Sequence, residues 1–350
     1  MSNTTKTRRD FYARLDPGSL VPLWERMKGL VPPEPKNKTQ AYVWRFDEVR
    51  PLLLEAGDLL TAKEAERRVL VFENPALQGT SRINSTLYAG MQLILPGETA
   101  PAHRHVAGAL RFILESDGGY TAVAGERADM KRGDLVITPG GAWHDHGHDG
   151  EGPCIWIDVL DVPLVNVFEC GFSEELGEDQ QAITKSDGHS LAEFGSGMLP
   201  MTPYSPFAET SPIFSYPYER ARDSLLSLKK SNEPDPYLGY ALRYANPLDG
   251  GWVMPMISAW LSHLPKGMAT QPYRATDNQG LVVSEGSVKV DLDGQTFELH
   301  RNDVMALPGW KWRTLKASED AILFHFSDRS AQEKLGIWKE QRGNSGAAIW

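Results

Sequence analysis

The segment Arg132–His144, RGDLVITPGGAWH, returns as Arg301–Arg313, RNDVMALPGWKWR, with Pro139 matched by Pro308. Around both copies, short runs rich in Leu, Ile, Val, Tyr and Phe are broken by turn clusters, such as LPGE, SDGG, AGER and KRGD in the first. Many short strands at regular turn spacing predict a β-sandwich or barrel, and a chain that carries the pattern twice builds it twice. Further toward the N-terminus, Gly97 is followed six residues later by His103, and Gly267 six later by Tyr273. His105 then matches Ala275, and His144 matches Arg313. The second copy keeps the turns and strands but none of the three histidines. If strand architecture required the histidines, both copies would carry them.

The flanking sequence divides the chain further. Residues 1–75 read as helices and loops: SLVPLWERMKGLV and FDEVRPLLLEAGDLL have helical apolar spacing, and Thr61 and Glu64 stand in capping-box register before the strand-like RVLVFEN. Residues 76–172 form the first β region, 173–250 a polar and Pro-rich inter-domain segment, 251–330 the second β region and 331–350 a tail. The 350 residues suffice for two cores of ordinary size. A net charge of −10 argues against a general nucleic-acid binder. Two cysteines, Cys154 and Cys170, are too few for a disulfide scaffold and suit a reducing compartment. The opening MSNTTKTRRDFYARL has no apolar signal-like core, and no apolar run of about 18 residues occurs. The expectation is a cytoplasmic protein with neither nucleic-acid nor membrane partners.

His103 and His105 stand two apart in a strand-like run, so their imidazoles leave the same face. A third imidazole from a neighbouring strand completes one face of a metal's coordination sphere. His146 and His148 share the strand face of His144 and are alternative third ligands, although the Pro139–Gly141 turn favours His144. The spacings Gly97-x5-His103-x-His105 and Gly133-x5-Pro139-x-Gly141-x2-His144 resemble the two motifs of the cupin family. That resemblance implies a mainly β bicupin: two double-stranded β-helix jelly-roll barrels, with N-terminal helices and a helical and loop segment between them. Cupins often add a glutamate four or five residues after the second histidine; here those positions are Ala109 and Leu110. Three neutral imidazoles leave the charge of a divalent metal uncompensated and favour an anionic chelating substrate; imidazole ligation suits iron among other metals. Arg111 shares the parity of His103 and His105, and a buried arginine there calls for an anion such as a carboxylate.

The stretches STLYAGMQLILPGETAPAHRHVAGALRFILE, GDLVITPGGAWHDHGHD and WIDVLDVP resemble the gentisate 1,2-dioxygenase group of bicupins, as do AERRVLVFENP and YPYERAR. The group includes enzymes for salicylate, 5-nitrosalicylate and 1-hydroxy-2-naphthoate. The resemblance implies an Fe(II)-dependent dioxygenase that opens a 2-hydroxybenzoate between its carboxylated and hydroxylated carbons, with the substrate chelating the iron and O2 taking the remaining position. By motif position, His103, His105 and His144 would hold the iron, and Arg67 and Arg111 the substrate carboxylate. His146 would act near the substrate oxygens, and Tyr88, Gly90, Gln92 and Asp158 would line the pocket. The bland alternatives are a solvated helix-end charge for Arg67 and a structural hydrogen-bond partner for Asp158. The group commonly forms homotetramers.

The substrate is less sharply specified. Gly90, and the apolar HVAGALRF where many gentisate enzymes carry polar residues, would leave room for a bulkier or substituted ring. Tyr88 resembles the gentisate enzymes, which places gentisate, giving maleylpyruvate, first. The rival readings are another metal enzyme of the fold, which would normally add the missing glutamate, and a non-enzymatic ligand-binding bicupin.

Overall fold

Alternation along the strands decides the layers. In Ala109–Glu115, Leu110, Phe112 and Leu114 enter a large apolar core, while Arg111 and Ile113 face the opposite way. In Cys154–Leu160, Ile155, Ile157 and Val159 join the same core, whereas Trp156 and Asp158 point with Arg111. The computed structural model describes residues 7–65, 67–207 and 209–343. Among the described residues, those up to Lys36 form one unit, with helices Arg8–Tyr12 and Leu23–Leu30, and those from Asn37 onward form another. Among the described residues no helix is long and apolar enough to cross a membrane.

The larger unit is a bicupin. Each of its two barrels pairs a six-stranded sheet with a five-stranded one, all neighbours antiparallel. The first six-stranded sheet runs Ser215–Tyr216, Leu135–Thr138, Ala109–Glu115, Cys154–Leu160, Tyr88–Ile94, Val69–Val71. Its five-stranded companion runs Ser173–Glu175, Thr99–His105, His144–His148, Gly119–Val123, Glu126–Asp129. The second barrel repeats the plan, with Tyr42–Trp44, Val304–Leu307, Gln279–Glu285, Ala321–Ser327, Ser258–Leu264 and Tyr240–Arg243 in the larger sheet. Gln295–Leu299, Val288–Leu292, Arg313–Lys316, Tyr273–Ala275 and Glu340–Arg342 make the smaller one. One apolar core joins the barrels, and Phe112 stacks on Phe324 at its centre with ring centroids 4.1 Å apart.

Segments that the sequence assigns outside the barrels supply several strands. Tyr42–Trp44, from the stretch read as helical, pairs with the second barrel; Ser215–Tyr216, from the inter-domain stretch, pairs with the first. After each exchanged strand comes a 14-residue helix, Phe46–Leu59 or Tyr218–Ser231. The first backbone N–H of each helix donates to a buried aspartate of the barrel it crosses: Phe46 to Asp303 at 2.9 Å and Tyr218 to Asp134 at 2.8 Å. The repeat therefore begins well before the β-rich texture does. Strands of two or three residues are too short to register as a period-2 pattern. Glu340–Arg342, within the stretch read as a tail, pairs with Tyr273–Ala275; residues 344–350 of that stretch lie outside the described residues.

The turns recur as the alignment requires. Gly133 and Gly141 have φ of +86° and +81°, and their counterparts Asn302 and Trp310 keep the left-handed conformation at +69° and +62°. Tryptophan adopts that region only under strong context, so the turn geometry outlasts the glycine that suits it.

Candidate metal centre

His103 sits directly across the sheet from His144, on strands Thr99–His105 and His144–His148. The ring centroids of His103, His105 and His144 stand 4.1, 4.9 and 5.2 Å apart. One nitrogen from each ring lies within 4.8 Å of the other two, and among the described residues this is the group of potential ligand atoms that comes so close. Backbone carbonyls orient the rings. His105 Nδ1–H donates to Ala107 O at 2.7 Å and His144 Nδ1–H to Ala142 O at 3.0 Å. His103 Nδ1 shares the Pro101 carbonyl, 3.3 Å away, with Arg67. A proton fixed on Nδ1 leaves Nε2 as the lone-pair nitrogen, and His144 Nε2 is buried with no hydrogen-bond partner. Burial depresses all three pKa values, that of His103 to about 3 with help from Arg67, so the rings are neutral near pH 7 as ligation requires.

The third-ligand alternatives separate by position. His146 stands apart, 6.1 Å ring-to-ring from His144, packs on Trp156 and bonds Thr121 Oγ1 through Nδ1 at 2.9 Å. His148 accepts from the Gly150 N–H at the strand's end and does not line the cavity.

Arg111 is 2% exposed. Its Nη1 donates to Thr138 Oγ1 at 2.7 Å, and its Nε faces Asp158 Oδ1 at 3.5 Å, too far for a hydrogen bond, so both of those atoms remain unpartnered. Burial pushes Asp158 up and Arg111 down, each offset by the other's charge. Burial also raises the phenol of Tyr88, with Asp158 adding to it. Arg67 and Arg68 part ways. Arg68 is buried against Glu98 and the Leu60 carbonyl, whereas Arg67 turns into the cavity, donates to Pro101 O at 2.8 Å and lies against the His103 ring.

These groups line a cavity of about 390 Å³, within the roughly 300–1,000 Å³ span of small-molecule sites. Tyr88, Gln92, His146 and Asp158 are on its wall, together with Val69, Ser81, Leu160 and Val162, which sequence reasoning missed. Two of these were legible: Val69 follows Arg67 by two residues, and Leu160 follows Asp158 by two. Ser81 sits in a loop with φ of +54° and gave no periodic signal.

Two expectations need correction. Gly90 faces the side of Tyr88 and Gln92 but is not on the cavity wall; a Cβ there would stand 2.5 Å from Val69 Cγ1 and 3.0 Å from Leu70 O. Its bareness admits the neighbouring strand and Val69, and a Cβ would also come within 3.3 Å of Tyr88 Oη, so Gly90 acts on the cavity through these two lining side chains. Val106 and Gly108 of HVAGALRF likewise line a different cavity, shared with Asp161 and Met254. A larger cavity of about 550 Å³, between helices His189–Phe194 and Tyr218–Ser231, is apolar and has no histidine or carboxylate on its wall.

The cupin-domain family model matches residues 90–160, the span that holds all three clustered histidines. Over 338 residues, 97% of each chain, the protein is 49% identical to gentisate 1,2 dioxygenase 1 of Aquipseudomonas alcaligenes. The chain belongs to the gentisate 1,2-dioxygenase family. It is also 34% identical to the 5-aminosalicylate 1,2-dioxygenase of a Comamonas species, over 92% of this chain and 87% of that one. A mutant salicylate 1,2-dioxygenase from Pseudoaminobacter salicylatoxidans, crystallised with gentisate, matches with a TM-score of 0.90 at 32% identity, covering 99% of this chain and 98% of that one. Like these relatives, the protein is a ring-cleaving 1,2-dioxygenase, and its three-histidine cluster is able to bind a metal.

Proposed function

We propose that this dioxygenase opens gentisate to maleylpyruvate with an Fe(II) ion held by His103, His105 and His144. The observation that carries the metal assignment is the buried, unpartnered Nε2 of His144 beside two further neutral imidazoles, a donor set suited to a divalent transition metal. Bound iron supplies the redox coupling between ring and dioxygen that no side chain provides.

The chain's own residues bind and orient the substrate. Arg111, whose Nε has no hydrogen-bond partner, and Arg67, also on the cavity wall, receive the carboxylate. Asp158 balances the buried charge of Arg111 and limits its swing. His146, neutral and anchored through Nδ1 to Thr121, has Nε2 left to exchange a proton with the ring hydroxyls. Ser81, Tyr88 and Gln92 offer neutral polar contacts to a second ring hydroxyl, while Val69, Leu160 and Val162 exclude water. With Val106 and Gly108 lining a different cavity, and Gly90 backed by Val69, the sequence features that pointed to bulkier rings lose their force, and the 49% identity to a gentisate enzyme supports the same choice.

The test is oxygen uptake by iron-loaded protein with gentisate, salicylate, 5-nitrosalicylate and 1-hydroxy-2-naphthoate, with product spectra recorded. Gentisate is expected to give the highest kcat/KM; equal or better turnover of another acid overturns the substrate assignment, and no uptake with any overturns the site. The reading includes work in the cytoplasm as a homotetramer. Two free cysteines and exposed apolar side chains such as Trp24, Met201 and Tyr204 support it, and sedimentation checks the assembly.

A further inference from the structure

Arg313 occupies in the second barrel the place His144 holds in the first, directly across from Tyr273 as His144 is from His103. It is 6% exposed, its guanidinium lies over the Tyr273 ring at 4.9 Å, and its Nη1 is buried without a hydrogen-bond partner. Among the described residues it forms no ion pair. The two carboxylates whose charges reach the Tyr273 phenol are hydrogen-bonded to other groups: Glu340 accepts from Tyr273 Oη and Arg342, and Asp277 accepts from Gln279 and Trp338. In the first barrel the buried Arg111 has Asp158 beside it. The position equivalent to Asp158 is His325, and burial depresses its pKa to about 3, so it adds neither a negative nor a positive charge near pH 7.

A buried guanidinium without a counter-charge is costly, and the Tyr273 ring offsets only part of that cost, so an anion admitted beside Nη1 offsets more of it. The Arg313 side chain helps line a small cavity of about 30 Å³, shared with Leu307, Leu315, Thr270, Gln279 and the Trp260–His325 stack. That volume suits one small guest and excludes any aromatic acid. His325 Nδ1 is a second buried nitrogen without a partner, while Nε2 shares a 2.8 Å hydrogen bond with Ser262 Oγ. We propose that the second barrel binds a small monovalent inorganic anion of halide size, such as chloride, against Arg313. Water fills the same space but leaves the charge unbalanced, which is why the anion is preferred. The site is independent of the dioxygenase centre.

The test uses full-length, iron-loaded protein at constant pH and ionic strength. Exchanging gluconate for 100 mM bromide is expected to raise Tm by about 2–4 °C, with saturation. Sulfate is expected to give no such rise, and gentisate turnover is expected to be unchanged. Arg313→Leu and Arg313→Gln are expected to lose the bromide response. Crystals grown in bromide supply a readout that does not depend on the variants: an anomalous peak against Arg313 Nη1 supports the site. Equal Tm in bromide and gluconate, a response that survives in Arg313→Leu, or density at Arg313 without anomalous signal overturns it.

Discussion

The two barrels are the same scaffold with opposite interiors. Asp158 pairs across its sheet with Gly90 and Arg111, and the equivalent His325 pairs with Trp260 and Leu281. Glycine in one barrel is tryptophan in the other, and Trp260 lines a cavity of only about 30 Å³ where the first barrel holds about 390 Å³. Leu281, Val283, Val290, Met305, Leu315 and Leu323 fill the second interior with apolar side chains. The first leaves a polar chamber above a small cluster around Ile113, Met130 and Trp156. Turns, register and buried aspartates survive in both. Asp161 accepts from the Gly108 N–H at 2.9 Å, as Asp328 does from Asn278 at 2.8 Å. The lesson is that this architecture needs neither histidines nor a cavity, so those features of the first barrel answer to chemistry.

The largest expected effect tests which interior is competent. His103→Ala, His105→Ala or His144→Ala abolishes iron retention and ring opening while circular dichroism stays native; iron at wild-type stoichiometry in any of them breaks the contrast. The reciprocal graft, Tyr273→His with Ala275→His and Arg313→His, is expected to add no second iron by elemental analysis, because the Trp260–His325 stack occupies the space. Trp260→Ala opens a cavity in the second barrel and costs about 3–5 kcal/mol in denaturant unfolding, with turnover per folded molecule unchanged. Arg111→Ala keeps the iron but raises KM for gentisate roughly 100-fold; an unchanged KM removes its carboxylate role.

Subtler is Gly90→Ala, which drives a methyl into Val69 and lowers kcat/KM about 3–10-fold. Adding Val69→Ala restores most of that loss if Gly90 acts through Val69. The smallest effect concerns pH. Burial raises Asp161 to about 7 and Asp328 to about 6, both above their unfolded value, so their protonated forms favour the native state. Their contribution is full below about pH 4 and is lost as pH rises to about 7. Asp161→Asn is therefore expected to flatten the fall in urea midpoint between pH 5 and pH 8 by about 0.3–0.5 M, read by fluorescence.

Much of this was legible in the residues. The repeated turn motif gave two barrels, the i, i+2 spacing put His103 and His105 on one face, and the missing histidines of the second copy marked the first as the site. Arg111 was also legible, because parity along the chain carried through the turn at 106–108. The misreadings share one cause. Gly90 looked like open room because a sequence shows a missing side chain but not the neighbour that fills its place. The exchanged strands Tyr42–Trp44 and Ser215–Tyr216 were missed because two or three residues carry no period of their own.

By itself, then, the sequence determined the strand periodicity, the turns and the histidine spacing, since these are local properties of consecutive residues. Only the tertiary structure decided that His144 rather than His146 completes the cluster, that Val69 occupies the space beside Gly90, and that Arg313 stands without a carboxylate. Each depends on distances between residues far apart in the chain, which are set when the sheets close and pack.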